Sequence, residues 1–353
     1  MTRVHVIIFH PRAAPGSGPL TEAFARIRGR NVDRQAAGFR QAGADRVSVI
    51  DDLDHDTSFG QRVRELVAAG PSDGVILLGS GSIPLATAAD RRTFVETAGG
   101  PPGHAVANNR FSADIVAIAG SAQLADLPDI RADNGLPRWL AETAGFTVDD
   151  LRRRRRLQVD LDSPLDALLV PWMNADDALR ADDVATLVIR ATIDAAVRVS
   201  RDPRRELIVA GRSSATGLAW LERSTASRTR ALIDERGFKT GATGQRPARS
   251  VLGLLLDRDG PGALGTILAE LGDAALVDSR VLLAHRFTAD ERTWPGAEDR
   301  FASDLLLPER ITDPWLRALT ESAIDAPIPI VLGGHNLVGP GLRLVLGEGR
   351  SWT

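Results

Sequence analysis

The sequence predicts an α/β protein: a mostly parallel sheet with helices on both faces, followed by a second, mixed α/β domain. Short apolar runs alternate with amphipathic segments of helical length, as in βαβ units. The apolar run at residues 74–78 stops in Gly79-Ser80-Gly81-Ser82, a small-residue loop typical of the carboxyl end of a buried parallel strand. A chain of 353 residues is also too long for one small core, which favours two domains.

The elements of the first half follow in a regular order. A strand at residues 4–9 leads into a loop at 11–20, and a helix is expected from Asn31, its N-cap, to Gly43. Ser58 and Thr87 are expected to begin two further helices. The other predicted segments are strands at 47–50, 75–78, 105–107 and 115–118, helices at 136–142 and 148–156, and a strand that turns into a helix at 157–168.

A domain boundary is expected near residue 175, which divides the chain into residues 1–175 and 176–353. The second part is again a mixture of apolar runs and amphipathic segments. Helices are predicted at 182–200, 216–235, 262–271 and 313–324, a strand or helix at 251–256, and strands at 207–210, 275–283 and 328–332.

Composition excludes several classes of protein. Cysteine and tyrosine are absent, which removes thiolate nucleophiles, Cys-ligated metal centres and phenol acids or bases. Lys239 is the single lysine, so the Gly-Lys-Ser/Thr of a P-loop cannot be present. A net charge of −3 gives no electrostatic reason to expect nucleic acid or an anionic membrane as a partner. With no apolar run near the ~20 residues of a membrane span, we expect a cytoplasmic protein.

Three segments of the first half could carry chemistry. The Gly79–Ser82 loop could present backbone N–H groups to a phosphate or sugar, or be a tight strand-to-helix turn. Asp160 and Asp162 alternate on a predicted strand, so they would share a face and could share a cation or a proton; otherwise Asp162 caps a helix. Asn108 and Asn109 could read a base or ribose, although asparagine is also a common turn residue.

The second half offers an independent set of candidates at strand ends. Gly333-Gly334-His335 follows a buried apolar run, and a histidine placed there could act as a general base or bind phosphate. A turn without a chemical role is the alternative. Arg212, Asp278 and Arg280 lie at or after other predicted strands and could complete a site in this domain.

Residues 1–170 resemble the GT-A-type nucleotidyltransferases, in particular the small guanylyl- and cytidylyltransferases of cofactor and sugar-nucleotide biosynthesis. Four segments carry the resemblance: the first strand and loop, residues 72–85, the turn at 108–114, and Asp160-Leu161-Asp162-Ser163-Pro164-Leu165-Asp166. The last is similar to the Asp-x-Asp-Thr-Pro-Glu-Asp-Leu ending common in that family. The resemblance implies a nucleotide or phosphorylated substrate, Mg²⁺ as cofactor, and a site at the carboxyl edge of the sheet.

The chain departs from the family pattern at the metal. These enzymes place a Mg²⁺-binding aspartate after the central strand, where this sequence has Gly81-Ser82. A metal would then need Asp114, Asp160 or Asp162, or the chemistry has been lost. The sequence therefore supports three functions: a Mg²⁺-dependent nucleotidyltransferase, a catalytically silent binding or scaffold protein of the same fold, and a transferase or hydrolase with its site around His335. A homo-oligomer is compatible with each of them.

Overall fold

The computed structural model describes residues 2–52, 57–70, 72–130, 133–173, 184–234 and 247–347. The chain packs as two compact units: the first contains Met1–Pro15 and Ala25–Leu161, and the second contains Gly16–Phe24 and Asp162–Thr353. The boundary predicted at residue 175 lies outside the described residues. Residues 162–173, which the sequence analysis assigned to the first domain, pack with the second unit.

The first unit is built on a six-stranded sheet in the order β2-β1-β3-β5-β4-β6. Only β5 is antiparallel to its neighbours, and the other pairs are parallel. The predicted mostly parallel sheet is therefore confirmed. The strands are β1 (Val4–Phe9), β2 (Arg46–Ile50), β3 (Gly74–Gly79), β4 (His104–Ala107), β5 (Ile115–Ala119) and β6 (Thr147–Asp150).

Helices cover both faces of this sheet. They are α1 (Pro19–Gln41), α2 (Phe59–Ala69), α3 (Ala88–Ala98) and α4 (Leu136–Glu142). Successive strand residues face opposite sides, so Ile8 packs in one apolar cluster with residues of α1 and α3, and Ile7 packs in the other with residues of α2 and α4. The end of α3 lies so close to β3 that a Cβ on Gly74 would stand 1.9 Å from the carbonyl oxygen of Ala98.

Three predictions for the first unit were wrong in detail. The first helix begins at Pro19 rather than Asn31, and Asn31 is a fully buried interior residue of that helix instead of its N-cap. Residues 147–150 form strand β6, although the sequence predicted a helix from 148. Residues 159–162 belong to no strand, so the strand expected to carry Asp160 and Asp162 is absent.

Two of the five consecutive arginines at 152–156 bind a buried carboxylate. Asp90, whose side chain is fully buried, accepts hydrogen bonds from Arg154 and, in bidentate form, from Arg156 at 2.6 and 2.7 Å. It also closes a capping box with Thr87 at the start of α3. Burial disfavours ionised Asp90, but the hydrogen bonds from Arg156 and Thr87 outweigh burial and hold the pKa of Asp90 well below its usual range. The arginine run therefore has a structural role.

The second unit contains a four-stranded, wholly parallel sheet in the order β10-β9-β7-β8. Its strands are β7 (Glu206–Gly211), β8 (Arg228–Ile233), β9 (Ala274–Asp278) and β10 (Ile330–Gly333). From β7 the chain passes to β8 on one side and then returns to β9 on the other. The carboxyl ends of β7 and β9 therefore flank a topological switch point, where open α/β sheets bind ligands.

The helices of the second unit are α5 (Pro164–Leu169), α6 (Val184–Ser200), α7 (Ala215–Ser224), α8 (Val251–Asp259), α9 (Leu264–Leu271), α10 (Ser279–Arg286), α11 (Ala297–Asp304), α12 (Pro314–Ile324), α13 (His335–Val338) and α14 (Leu342–Leu346). The helix predicted at 216–235 was wrong, because α7 ends at Ser224 and β8 follows. The strand predicted at 275–283 ends at Asp278, which places Arg280 in the first turn of α10. Within the described residues, no helix has both the length and the apolar character needed to cross a membrane.

Candidate functional site

The Gly79–Ser82 loop lies at the carboxyl end of β3 and is held from inside by helix α1. Asn31 Nδ2 donates to the carbonyl oxygens of Ser80 and Ser82 at 2.9 and 3.0 Å. Gln35 Nε2 donates to the carbonyl oxygen of Ile83 at 2.9 Å, and Arg91 Nε donates to Gln35 Oε1 at 2.9 Å. This buried amide clamp fixes the path of the loop, so its shape does not depend on a ligand.

The two serines and two glycines of the loop have different environments. Ser80 and Ser82 are 3% and 4% exposed. Ser82 Oγ accepts from Gly79 N at 3.0 Å and donates to the carbonyl oxygen of Asp114 at 2.8 Å. Gly79 and Gly81 are only half-buried, so they are the parts of the loop that a ligand can reach. A Cβ on Gly81 would stand 2.6 Å from the Leu161 carbonyl oxygen, which explains the glycine.

Ile83, directly after the loop, has an uncommon backbone conformation. Its φ is +46° although it is β-branched, and its side chain is fully buried. Such strain costs of order 1–3 kcal/mol and persists only where the surrounding structure enforces it, often beside a functional site. Here Gln35 holds the Ile83 carbonyl and the core holds its side chain.

The predicted nucleotide-reading asparagines lie at the end of β4. Asn108 is fully buried, and its Nδ2 donates to Asp114 Oδ2 and to the Leu157 carbonyl oxygen at 2.7 and 2.8 Å. Its Oδ1 accepts from the backbone N–H groups of Asp114 and Ile115. These four bonds use both donors and both acceptor sites of the amide. Half-buried Asn109 accepts from Phe111 N at 3.0 Å, which is an Asx turn.

The predicted metal carboxylates Asp114, Asp160 and Asp162 have different surroundings. Asp114 is half-buried and bonded to Asn108. Asp160 is half-buried in the first unit, whereas Asp162 is exposed and belongs to the second. Across the described ranges, no three histidine, aspartate or glutamate side chains stand close enough to hold a metal ion. Mg²⁺ sites often use only one or two carboxylates, with waters and substrate phosphates completing the octahedral shell.

A histidine that the sequence analysis did not single out as a site residue lies at the switch point of the first sheet, between β1 and β3. Ser80 N donates to the carbonyl oxygen of Phe9 at 2.8 Å, which places the next residue, His10, beside the clamped loop. His10 Nδ1 is buried without a hydrogen-bond partner among the described residues. Burial lowers the pKa of His10 and nearby Arg28 lowers it further, so the imidazole is neutral at pH 7. Arg12 is exposed and paired with Asp51 at 2.6 Å.

The second unit brings its predicted residues together at the carboxyl edge of its sheet. Arg212 Nε and Nη2 donate to the two oxygens of fully buried Asp278 at 2.7 and 3.1 Å, which bridges the ends of β7 and β9. Arg280 makes a second bidentate pair, with buried Asp304 of α11, at 2.8 and 2.5 Å. Two bidentate arginine–carboxylate pairs, each with a fully buried aspartate, therefore lie in this unit: one joins the ends of β7 and β9, and the other joins α10 to α11.

A third carboxyl of this region has an altered pKa. Asp166 caps α5, and its Oδ2 accepts from Asp162 N, Ser163 N and Ser163 Oγ. Burial, together with the neighbouring charges of Asp162 and Asp304, raises the pKa of Asp166 to about 7. The amino-acid composition does not predict this raised pKa, because it depends on which carboxyl groups the fold brings together.

His335 and its two glycines follow β10. Gly333 packs against Leu165, where a Cβ would stand 2.9 Å from the Leu165 side chain, whereas a Cβ on Gly334 would meet no atom within 4 Å. The Gly333 carbonyl oxygen accepts from Ser279 Oγ at 3.1 Å. Half-buried His335 begins the short α13 and packs over Gly339. The structure therefore brings His335 to the same sheet edge as Asp278, as the strand-end pattern predicted.

Comparisons with known proteins give partial likenesses only. Neither a protein-family model nor a curated protein matches the chain. A protein assigned as a nucleotide-diphospho-sugar transferase from Desulfovibrio desulfuricans G20 is 15% identical, with a TM-score of 0.35 over 52% of this chain and 92% of that one. Rv0371c from Mycobacterium tuberculosis H37Rv is 15% identical, with a TM-score of 0.27 over 44% of this chain and 98% of that one. The complex of Rv0371c with manganese is 16% identical, with a TM-score of 0.26 over 45% of this chain and 99% of that one. At this level of likeness, the function has to be argued from the residues of the chain itself.

Proposed function

We propose that the protein binds a nucleotide or nucleotide sugar at the carboxyl edge of the six-stranded sheet, as a transferase-like protein. The observation that carries this proposal is the convergence of the clamped Gly79–Ser82 loop with His10 at the switch point between β1 and β3. Ligands of open α/β sheets bind at such points. A fixed loop and a neutral imidazole suit a phosphorylated ligand, because they supply hydrogen-bond donors without needing to reorganise.

Two forms of the proposal differ in chemistry. In the catalytic form, an acceptor oxygen attacks the α-phosphorus of a nucleoside triphosphate, and the bond to the pyrophosphate leaving group breaks. In the silent form, the ligand binds and no bond changes. Neither form of the proposal assigns a step to a metal ion.

Isothermal titration of the full chain with the four nucleoside triphosphates and their common nucleotide sugars tests the binding, in the presence and absence of Mg²⁺ or Mn²⁺. We expect at least one of these ligands to bind. His10→Gln should weaken that binding severalfold, whereas His104→Gln, at the exposed start of β4, serves as the matched control and should not. Binding that is equally tight in both variants would refute the site.

A pyrophosphate-release assay with the same ligand separates the two forms. Release that depends on an added acceptor supports the catalytic form, and binding without release supports the silent one. The titrations with and without Mg²⁺ or Mn²⁺ test whether binding needs a metal ion. Binding that strictly requires Mg²⁺ would show that the donors of the described residues are not the whole site.

A further inference from the structure

The second unit contains a βαβ motif, formed by β7, α7 and β8, in which the turn between β7 and α7 resembles a ligand-binding turn. Strand β7 ends at Gly211, the turn Arg212-Ser213-Ser214 follows, and α7 leads to the parallel strand β8. Dinucleotide-binding folds use this arrangement, with a glycine-rich turn at the helix start and an acidic residue at the end of the second strand, about 20 residues further on. The proposed function does not use this part of the chain.

Gly211 lets the backbone turn sharply at the switch point. Its φ is +130°, and a Cβ there would stand 2.3 Å from Cβ of Asp278. Only glycine tolerates both the conformation and the close approach of β7 to β9. The turn that enters α7 is therefore pressed against the end of the neighbouring strand, directly beside the Arg212–Asp278 pair.

The first turn of α7 has backbone N–H groups that a ligand could bind. Ser214 is the N-cap and accepts from Gly217 N at 3.1 Å, while helix geometry leaves the N–H groups of Ala215 and Thr216 without partners inside the helix. Both residues are exposed. Such a helix terminus attracts phosphate, because free N–H groups and the helix dipole act together.

Ser213 gives an independent sign of a ligand. It is 2% exposed, yet its hydroxyl has no hydrogen-bond partner among the described residues. Its Oγ faces the first turn of α7, since a Cβ on Gly217 would lie 3.1 Å from it. A buried hydroxyl without a partner costs free energy, so native structures rarely keep one unless something binds it.

Asp234 lies at the position where dinucleotide-binding folds have an acidic residue that hydrogen-bonds the ribose. It directly follows β8, and its backbone N–H donates to the Gly211 carbonyl oxygen at 3.0 Å, which ties it to the glycine turn. From the described residues, its half-buried carboxyl accepts one long bond, 3.4 Å, from Ser250 Oγ. A carboxylate at this place can accept two hydroxyl hydrogens of a ribose.

Arg212 completes the set. Asp278 takes the Nε and Nη2 hydrogens and fixes the guanidinium plane, which leaves the Nη1 side of the fork outside that pair. Because Arg212 and Asp278 neutralise each other, the buried aspartate does not repel an anion at the turn.

We propose that the second unit holds a separate nucleoside diphosphate site, with the diphosphate at the start of α7 and Ser213 and the ribose hydroxyls on Asp234. The site is independent of the one proposed for the first unit. Its ligand class follows from the chemistry of its two parts: a phosphate group alone would leave Asp234 unused, and a nucleoside alone would leave Ser213 and the helix start unused.

The test is isothermal titration of the full chain, without metal, with ADP, GDP, CDP and UDP, with the 2′-deoxy form of the best binder, and with pyrophosphate. We expect at least one ribonucleotide to bind more tightly than its deoxy form and than pyrophosphate. Asp234→Asn should weaken the ribonucleotide about tenfold and remove the preference over the deoxy form, because a charged acceptor for hydroxyls is lost. Pyrophosphate binding should stay unchanged in that variant.

Ser213→Ala should weaken the nucleotide and pyrophosphate together. Ser224→Ala, at the exposed other end of α7, and Asp259→Asn, on the surface of the same unit, are the matched controls and should bind as the wild type does. If none of the four nucleotides binds, or if Asp234→Asn and Ser213→Ala bind as tightly as the controls, the inference is overturned. If the nucleotide binds only in the first unit, Asp234→Asn and Ser213→Ala will bind it as tightly as the controls do. That result would overturn this inference and leave the site proposed for the first unit unaffected.

Discussion

Asn31→Ala tests whether the buried amide clamp holds the Gly79–Ser82 loop. The substitution removes the two bonds from Nδ2 to the carbonyl oxygens of Ser80 and Ser82. Ser82 keeps only a weak bond, 3.4 Å, from Gln35, and Ser80 loses its side-chain donor. Each buried carbonyl left unsatisfied costs about 1–3 kcal/mol, so we expect the free energy of unfolding to fall by roughly 2–4 kcal/mol.

Urea unfolding of the full chain measures this loss, and hydrogen exchange at the loop amides locates it. Asn109→Ala is the matched control: Asn109 is half-buried and makes one bond, to Phe111 N, so its loss should cost about 1 kcal/mol or less. Nucleotide binding in the first unit should weaken in Asn31→Ala even under conditions where the variant is fully folded. If the two variants lose the same stability, the clamp does not hold the loop and our reasoning about a preformed site is wrong.

Three further substitutions test other features. Asp90→Asn removes the charge that pairs with two arginines and should cost about 3 kcal/mol at pH 7 by urea unfolding, whereas Asp129→Asn, at an exposed carboxylate, should cost much less. Since the pKa of Asp90 is lowered on folding, the difference between the two variants should shrink below about pH 4, and a constant difference would contradict the assignment. Asp166 has a raised pKa, so the folded state retains its proton and stability falls as pH rises from about 4 towards 7. Asp166→Asn mimics the protonated form. Urea titrations should therefore show a larger loss in the wild type than in the variant, where the raised pKa of Asp234 still contributes. Gly211→Ala forces a Cβ towards Asp278 and should cost at least about 2 kcal/mol by urea unfolding, whereas Gly262→Ala, where a Cβ would meet no atom within 4 Å, should cost far less.

The sequence predicted the fold class because apolar runs and helix caps are local signals. Helices begin after Ser58 and Thr87 as expected, and the buried runs at β1, β3 and β10 form strands. β8 was missed because its side chains are mostly exposed, so it lacks the buried run or alternation that marks a strand. Strand β6, which ends in Asp149 and Asp150, was missed for the same reason.

Site residues were harder to predict, because their roles depend on contacts far apart in sequence. Asn31 was expected to cap a helix, yet it binds carbonyls about 50 positions away in the chain. Asn108 was predicted to read a base or ribose, and in the structure its amide bonds to residues of its own turn. Arg212, Asp278 and His335 were predicted as candidates from their positions at strand ends, and parallel strands bring such ends to one edge of a sheet. The sequence did not single out Ser213 or Asp234. The interest of Ser213 depends on its burial, and that of Asp234 depends on its place after strand β8, which was not predicted.

Strand β8 also affects how the molecule behaves in concentrated solution. It forms one edge of the four-stranded sheet, where unpaired backbone groups could add a strand from another molecule. Arg228 and Arg230 are exposed on this edge, and Arg230 is held by Glu206 at 2.9 Å. Like charges would meet whenever two copies approached edge to edge, so the arginines that hid this strand from sequence analysis also oppose aggregation through it.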